Sequence, residues 1–193
     1  MADCLHPIGA FSAITFARWS EVADRAALEP RLDAIFFEAS LTRTFADDAA
    51  RAAFRERWLG RFLEGDPSLA HIALGVDAGG GRAVLGYLVG ALDDPALSLR
   101  FSDIGYFAAL AELTARFPAH LHINLAPSAR GFGIGQRLVE RFAGDVRGAG
   151  LPGFHVVTGA RSRNISFYRR AGLDFAHPFT WSGTDLVLLG RRL

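Results

Sequence analysis

The sequence predicts an α/β (α+β) fold: a mixed, mostly antiparallel sheet of six to seven strands, with helices on both faces and one parallel β-α-β unit. Three observations predict it. Short apolar segments alternate along the chain with amphipathic segments of helical period. A Gly-rich turn joins a strand to a helix that leads into a further strand, as a β-α-β crossover requires. The 193 residues, half of them hydrophobic and 16 of them Phe, suffice for one core in a single domain spanning 1–193.

Residues 14–19 read as a short strand, and 21–40 as a helix with Val22, Leu28, Leu32, Ile35 and Phe36 on one face, which Pro30 interrupts or restarts. Residues 47–63 form a clearer amphipathic helix, because Phe54, Trp58 and Phe62 recur every four positions while Arg51, Arg55 and Arg61 lie elsewhere on the wheel. Such a stripe is ordinarily core. Gly65, Asp66 and Pro67 end that helix, and 71–77 with 82–92 make a hairpin around Ala78, Gly79, Gly80 and Gly81. A turn at Asp94 and Pro95 precedes a short helix at 106–116 and a strand at 120–125. The helix at 133–147 carries Ile134, Leu138, Val139, Phe142 and Val146 on one side. A strand at 154–158, a short helix at 164–171 ended by Gly172, and strands at 175–181 and 185–189 complete the chain. The crossover makes the strands at His120 and Phe154 parallel neighbours.

Composition removes several classes of function. No run of about 18 apolar residues occurs, so no membrane partner is expected. Residues 1–10 have no Lys or Arg ahead of an apolar stretch, so the layout of a secretory signal is lacking and a cytoplasmic location is the default. Cys4 is the only cysteine, which rules out an intramolecular disulfide and a thiolate cluster for a metal. A net charge of +1 argues against nucleic acid. Locally, eight arginines (130, 137, 141, 147, 161, 163, 169 and 170) face only Glu140 and Asp145 between 130 and 170. That bias suits a phosphate-rich small molecule, although solvated helix faces account for most such charges.

The most informative segment is HLHINLAPSARGFGIG, residues 120–135. It passes from a strand through a Gly-rich turn into a helix, which leaves backbone N–H groups converging at the positive end of the helix dipole, an arrangement suited to a pyrophosphate. Tight-turn geometry alone would also call for these glycines. A dinucleotide fingerprint does not fit: Gln136 stands sixth from Gly131, and Leu138 sixth from Gly133. Nor does the chain contain the Gly-Lys-Ser/Thr of a nucleotide P-loop.

Arg130, Gly133 and Gly135 fill a Gln/Arg-x-x-Gly-x-Gly/Ala pattern, Pro127 and Leu138 flank it, and FYRRAGL at 167–173 supplies an aromatic-Tyr pair before Gly172 in the next β-α unit. On these residues and the element order the chain resembles the GNAT superfamily of acetyl-CoA-dependent N-acetyltransferases. FPAHLHIN at 117–124 further resembles a bacterial subgroup related to the acetyltransferase-like domain of some O-GlcNAc hydrolases. The resemblance implies acetyl-CoA as cosubstrate, no metal, and a primary amine on a small molecule or peptide as acceptor. It implies pantetheine pairing with backbone at the end of the 120–125 strand, at Leu125 and Ala126. Pyrophosphate would rest on the turn formed by Arg130, Gly131, Phe132, Gly133, Ile134 and Gly135, and Tyr168 would lie near the thioester sulfur. A homodimer would be ordinary for such a fold, and a non-catalytic acyl-CoA-binding or protein-interaction module is the alternative on the same fold.

Two positions depart from the family. Arg161 stands where Asn often contacts pantetheine; Asn164, three residues later, either replaces that contact or caps the short helix. Asn124 stands where the subgroup carries Asp. For the chemistry, Tyr168 can protonate the departing thiolate. His120, His122 and Asn124 alternate along a strand and share one face, so either histidine can take a proton from the amine, or can instead hydrogen-bond a neighbouring strand or loop. His122 is the more central; Asp103 and Glu112 are further candidates, and His155 has no assigned role. Acceptor selection falls to the loop between the first helices, to 93–118, and to the turn near Ser182 and Gly183.

Overall fold

The computed structural model describes residues 11–77 and 79–193. Cys4, the remainder of residues 1–10 and Ala78 of the first hairpin turn lie outside the described residues. Among the described residues, seven strands form one sheet in the order β1-β2-β3-β4-β5-β7-β6. They are β1 (Ser12–Arg18), β2 (His71–Val76), β3 (Arg82–Ala91), β4 (Ala119–Leu125), β5 (Gly153–Gly159), β6 (Phe175–Trp181) and β7 (Thr184–Arg192). β1 with β2, β2 with β3, β5 with β7 and β6 with β7 are antiparallel, and β4 with β5 is parallel, with Ala119 opposite Phe154 and His120 opposite His155. The mixed, mostly antiparallel sheet and the parallel pair therefore stand as expected.

The described residues gather into two compact units, one containing 11–89 and His122–Val139, the other Gly90–Leu121 and Glu140–Leu193. In the first, α1 (Arg25–Ala39) buries Leu28, Leu32, Ile35 and Phe36. Pro30 lies inside this helix without ending it. It forgoes one backbone hydrogen bond, and burial of the four apolar side chains offsets that loss. The expected helix at 47–63 comprises α2 (Asp48–Arg55), a π-turn (Glu56–Gly60) and α3 (Arg61–Gly65), opened by Asp47, whose carboxylate accepts the Ala50 N–H at 2.7 Å. Arg55 ties this rod to α1 through Asp33 at 2.7 Å and Glu29 at 2.5 Å, while Arg51 stacks on the Phe37 ring at 3.6 Å. Within β3, a Cβ on Gly86 would stand 2.2 Å from Leu125 Cδ2 and 2.8 Å from the Asn124 carbonyl, so glycine is what allows β4 its close approach here.

In the second unit the expected helix at 106–116 is broken at Leu110, whose φ of −107° and ψ of 17° separate α4 (Tyr106–Ala109) from α5 (Ala111–Arg116). Leu110 is buried in one cluster with Phe117 and Leu188, and the break turns it onto that core. α6 (Ile134–Gly148), which begins in the first unit, buries Phe142, Ala143 and Val146 in the second. α7 (Ile165–Arg170) is followed by Gly172 at φ 84°. β6 ends the sheet order and contains Pro178, which removes a donor from an edge. Ser182 and Gly183, both at positive φ, make the two-residue turn into β7.

His155 is wholly buried in this second unit. Its Nδ1 donates to the Phe117 carbonyl at 2.6 Å, because a carbonyl can only accept, and Nε2 carries no hydrogen bond to a described residue. Burial pushes its pKa down to about 4, against the partial counter-effect of the Phe117 hydrogen bond. The unfolded chain, with an ordinary imidazole near 6.5, then binds the proton more readily than the folded one. The associated stability is complete above about pH 6.5 and is lost as the pH falls from there towards 4, an effect on the order of 3 kcal/mol. Urea unfolding at pH 7 and pH 4.5 should show this loss in the parent and a clearly shallower one in His155→Phe; equal slopes in the two proteins would place the acid sensitivity elsewhere.

Candidate functional site

The segment after β4 is shaped by its own backbone. Pro127–Ala129 form one 3₁₀ turn, with the Ala129 N–H on the Ala126 carbonyl at 2.9 Å and the Arg130 N–H on the Pro127 carbonyl at 3.3 Å. The Arg130 guanidinium folds back onto the Leu125 carbonyl, with Nε at 3.2 Å and Nη2 at 3.1 Å. Arg130 thus contributes by closing the turn, and its own N–H is engaged within it. Beyond it the chain reverses through Gly131 at φ 84° and Gly133 at φ 77°, a conformation that costs an L side chain roughly 1–2 kcal/mol. A Cβ built on either glycine would meet nothing within 4 Å, so tight packing is not what excludes a side chain there.

The first bond into α6 runs from the Arg137 N–H to the Gly133 carbonyl at 3.1 Å. The N–H groups of residues 131–136 donate to no backbone carbonyl among the described residues. Gly131, Phe132 and Gly133 are exposed, Phe132 to 46%, whereas Ile134 and Gly135 are buried. A row of unsatisfied donors at the positive end of a 15-residue helix, with open space before it, can hold a group bearing several anionic oxygens.

Along β4 the alternation puts His120, His122 and Asn124 on one face, and each meets a different neighbour. In the first unit, half-buried His122 lies edge-to-face with Trp58 and with Phe62, ring centroids 5.3 Å apart in both cases. Asn124 donates through Nδ2 to the Tyr87 hydroxyl at 2.8 Å; Tyr87 is fully buried, and burial pushes its phenol far above the ordinary range. In the second unit, buried His120 lies 4.4 Å from the Phe101 ring, 5.6 Å from Phe107 and 5.7 Å from His155, with which it stacks.

Tyr168, near the end of α7, is buried to 3% exposure, and burial pushes its pKa well above the ordinary phenol range. Its hydroxyl makes no hydrogen bond to another described residue. Asn164 occupies the N-cap position of α7 but forms no capping bond; its Oδ1 accepts from the Thr158 hydroxyl on β5 at 3.3 Å. The capping role is therefore corrected: Asn164 has a helical φ and ψ of −78° and −8°, and its side chain points to the strand. No group of three or more His, Cys, Asp or Glu suited to a metal occurs among the described residues, nor any helix long and apolar enough to cross a membrane.

Leu125, Ala126, Arg130–Gly135 and His122 thus lie in one unit, and His120, Asn164 and Tyr168 in the other. Sequence reasoning missed Tyr87 and the part played by Trp58 and Phe62. The four-residue aromatic stripe was the available signal, and reading it as core alone accounts for Phe62 but not for half-buried Trp58.

No family model matches the chain. Among solved structures it is similar to SsHAT over 93% of its own length and 98% of that chain, at 22% identity and a TM-score of 0.64. It is also similar to a chain of the NatC complex bound to Gag peptide and CoA (93% and 98% covered, 16% identity, TM-score 0.57). An N-acetyltransferase from Staphylococcus aureus Mu50 matches over 94% of this chain and 99% of its own, at 16% identity and a TM-score of 0.54. What is common at such identities is architecture: this chain has the mixed α/β GNAT fold of those structures.

Proposed function

We propose that the chain is an N-acetyltransferase that moves an acetyl group from acetyl-CoA to a primary amine. The observation that carries this reading is the turn at 131–136, whose free N–H groups and outward-facing glycine positions suit the pyrophosphate of CoA. In this reading pantetheine lies along the Leu125 and Ala126 backbone. There the Ala126 N–H already donates to Leu85 and the two carbonyls already accept from Arg130 and Ala129, so a pantetheine donor would share one of those carbonyls. The NatC complex, solved with CoA bound, and the element order of the fold support the choice of cosubstrate. The resemblance of 117–124 to the subgroup near O-GlcNAc hydrolases belongs to the same proposal, and the acceptor is an amine of unassigned class.

The amine nitrogen attacks the thioester carbonyl, the tetrahedral oxyanion collapses, and the C–S bond breaks to release the CoA thiolate. His122 takes the proton that the amine loses, directly or through one water. Tyr168 is the donor to sulfur. Because burial disfavours its phenolate, Tyr168 stays protonated throughout the working range, and an otherwise unengaged hydroxyl is available to the leaving group. A thiol ionises near 8.5, so full proton transfer from such a phenol is uphill; a hydrogen bond to the developing thiolate supplies the gain.

Two outcomes follow. Gly133→Ala and Gly150→Ala both place a Cβ at positive φ in open space, and each should cost about 1–2 kcal/mol of stability. Acetyl-CoA affinity, measured by calorimetry, should fall at least about tenfold in Gly133→Ala and stay at the parent value in Gly150→Ala. Unchanged affinity in a folded Gly133→Ala protein removes the cosubstrate from this turn. For Tyr168→Phe, the expected change is a roughly 10²-fold lower kcat with acetyl-CoA affinity retained, and no alkaline loss of parent activity assignable to Tyr168 below about pH 10. A kcat within about threefold of the parent makes Tyr168 a packing residue.

A further inference from the structure

The aromatic stripe of the second helical rod has a geometry that core packing does not require. In an unbroken α-helix, residues four apart drift by about 40° around the axis, so Phe54, Trp58 and Phe62 would spiral away from a common line. The π-turn at Glu56–Gly60 winds each residue through a smaller angle and brings Trp58 and Phe62 back towards one side. Both rings then meet the same partner: Trp58 crosses the His122 ring at 77° and Phe62 at 69°, each with centroids 5.3 Å apart. Phe62 is fully buried and anchors the arrangement, and Leu59 and Leu63 bury beside it on the rod. Trp58 is only half-buried, so its side chain meets His122 while part of it stays accessible to solvent.

An imidazole on a strand can swing about χ2, and contacts with neighbouring rings limit that freedom. Two edge-to-face rings define the plane of His122 and leave its ring nitrogens with a restricted set of directions. We infer that Trp58 is a positioning residue for His122, carried into place by the π-turn, and that Trp58 and Phe62 together orient the imidazole towards the amine. This rests on the reading of His122 as the proton acceptor. Proton transfer demands a donor-acceptor separation of about 2.6–3.2 Å, and a misplacement near 1 Å can cost about 10²-fold in rate, which sets the scale of the expected effect.

The test is a double-mutant cycle with Trp58→Leu, His122→Gln and the pair, using the amine that gives the fastest CoA release in a panel of amino acids, polyamines, aminosugars and short peptides. Trp58→Leu should lower kcat 10- to 100-fold in the parent with the KM for acetyl-CoA unchanged, should have no further effect in His122→Gln, and should be largely rescued by Trp58→Phe. An equal loss in both backgrounds makes Trp58 a structural residue and overturns the inference. If His122→Gln alone leaves kcat unchanged, the proton-acceptor reading fails first and the inference falls with it. A second readout needs no acceptor: the His122 ring proton resonances, displaced by the two flanking rings, should move towards ordinary imidazole positions in Trp58→Leu and remain near the parent positions in Trp58→Phe. Unmoved resonances in Trp58→Leu show that Trp58 does not hold the ring.

Discussion

A strand that carries two histidines and an asparagine on one face is costly to bury, because each buried polar group left without a hydrogen bond costs about 1–3 kcal/mol. β4 meets this demand unevenly: the Asn124 amide finds the Tyr87 hydroxyl, whereas the buried Nε2 of His120 makes no hydrogen bond to a described residue. His120 sits among Phe101, Phe107 and His155, His122 against Trp58 and Phe62, and Asn124 on the Tyr87 hydroxyl. Much of the surrounding structure answers to that strand. Gly86 gives it room, the π-turn brings two aromatic rings onto it, and Tyr87 lies fully buried to receive its amide.

The fold was legible wherever one period governed a segment. The strands and α6 came from alternation and from a helical stripe, and the hairpin at β2 and β3 came from its glycines. Three local features were not legible, because tertiary packing decides them. Pro30 continues a helix whose apolar face is buried strongly enough to absorb a missing hydrogen bond, Leu110 breaks a helix to enter the cluster with Phe117 and Leu188, and residues 56–60 widen into a π-turn. In each case the local preference pointed one way and a contact distant in sequence pointed the other.

For the candidate site the same division holds. The turn at 131–136 was visible because glycine at positive φ leaves a mark in sequence, here between a strand and a helix. Roles for side chains were less visible. Nothing in the order of residues says that Trp58 meets His122, that Asn124 is taken up by Tyr87, or that Asn164 turns to Thr158 instead of capping α7. Those pairings depend on which strands and helices become neighbours, and so emerge only in three dimensions.

The turn after β4 is the element on which the functional account stands, since it is the backbone itself, more than any side chain, that is proposed to hold the cosubstrate. Titrating the labelled protein with CoA while following its backbone amide resonances tests this directly. The account predicts that the amides of Gly131, Phe132, Gly133, Ile134 and Gly135 move downfield together and saturate with one affinity, as N–H groups that gain charged acceptors do. Saturating CoA that leaves these amides in place, or that shifts only amides elsewhere in the chain, would contradict it.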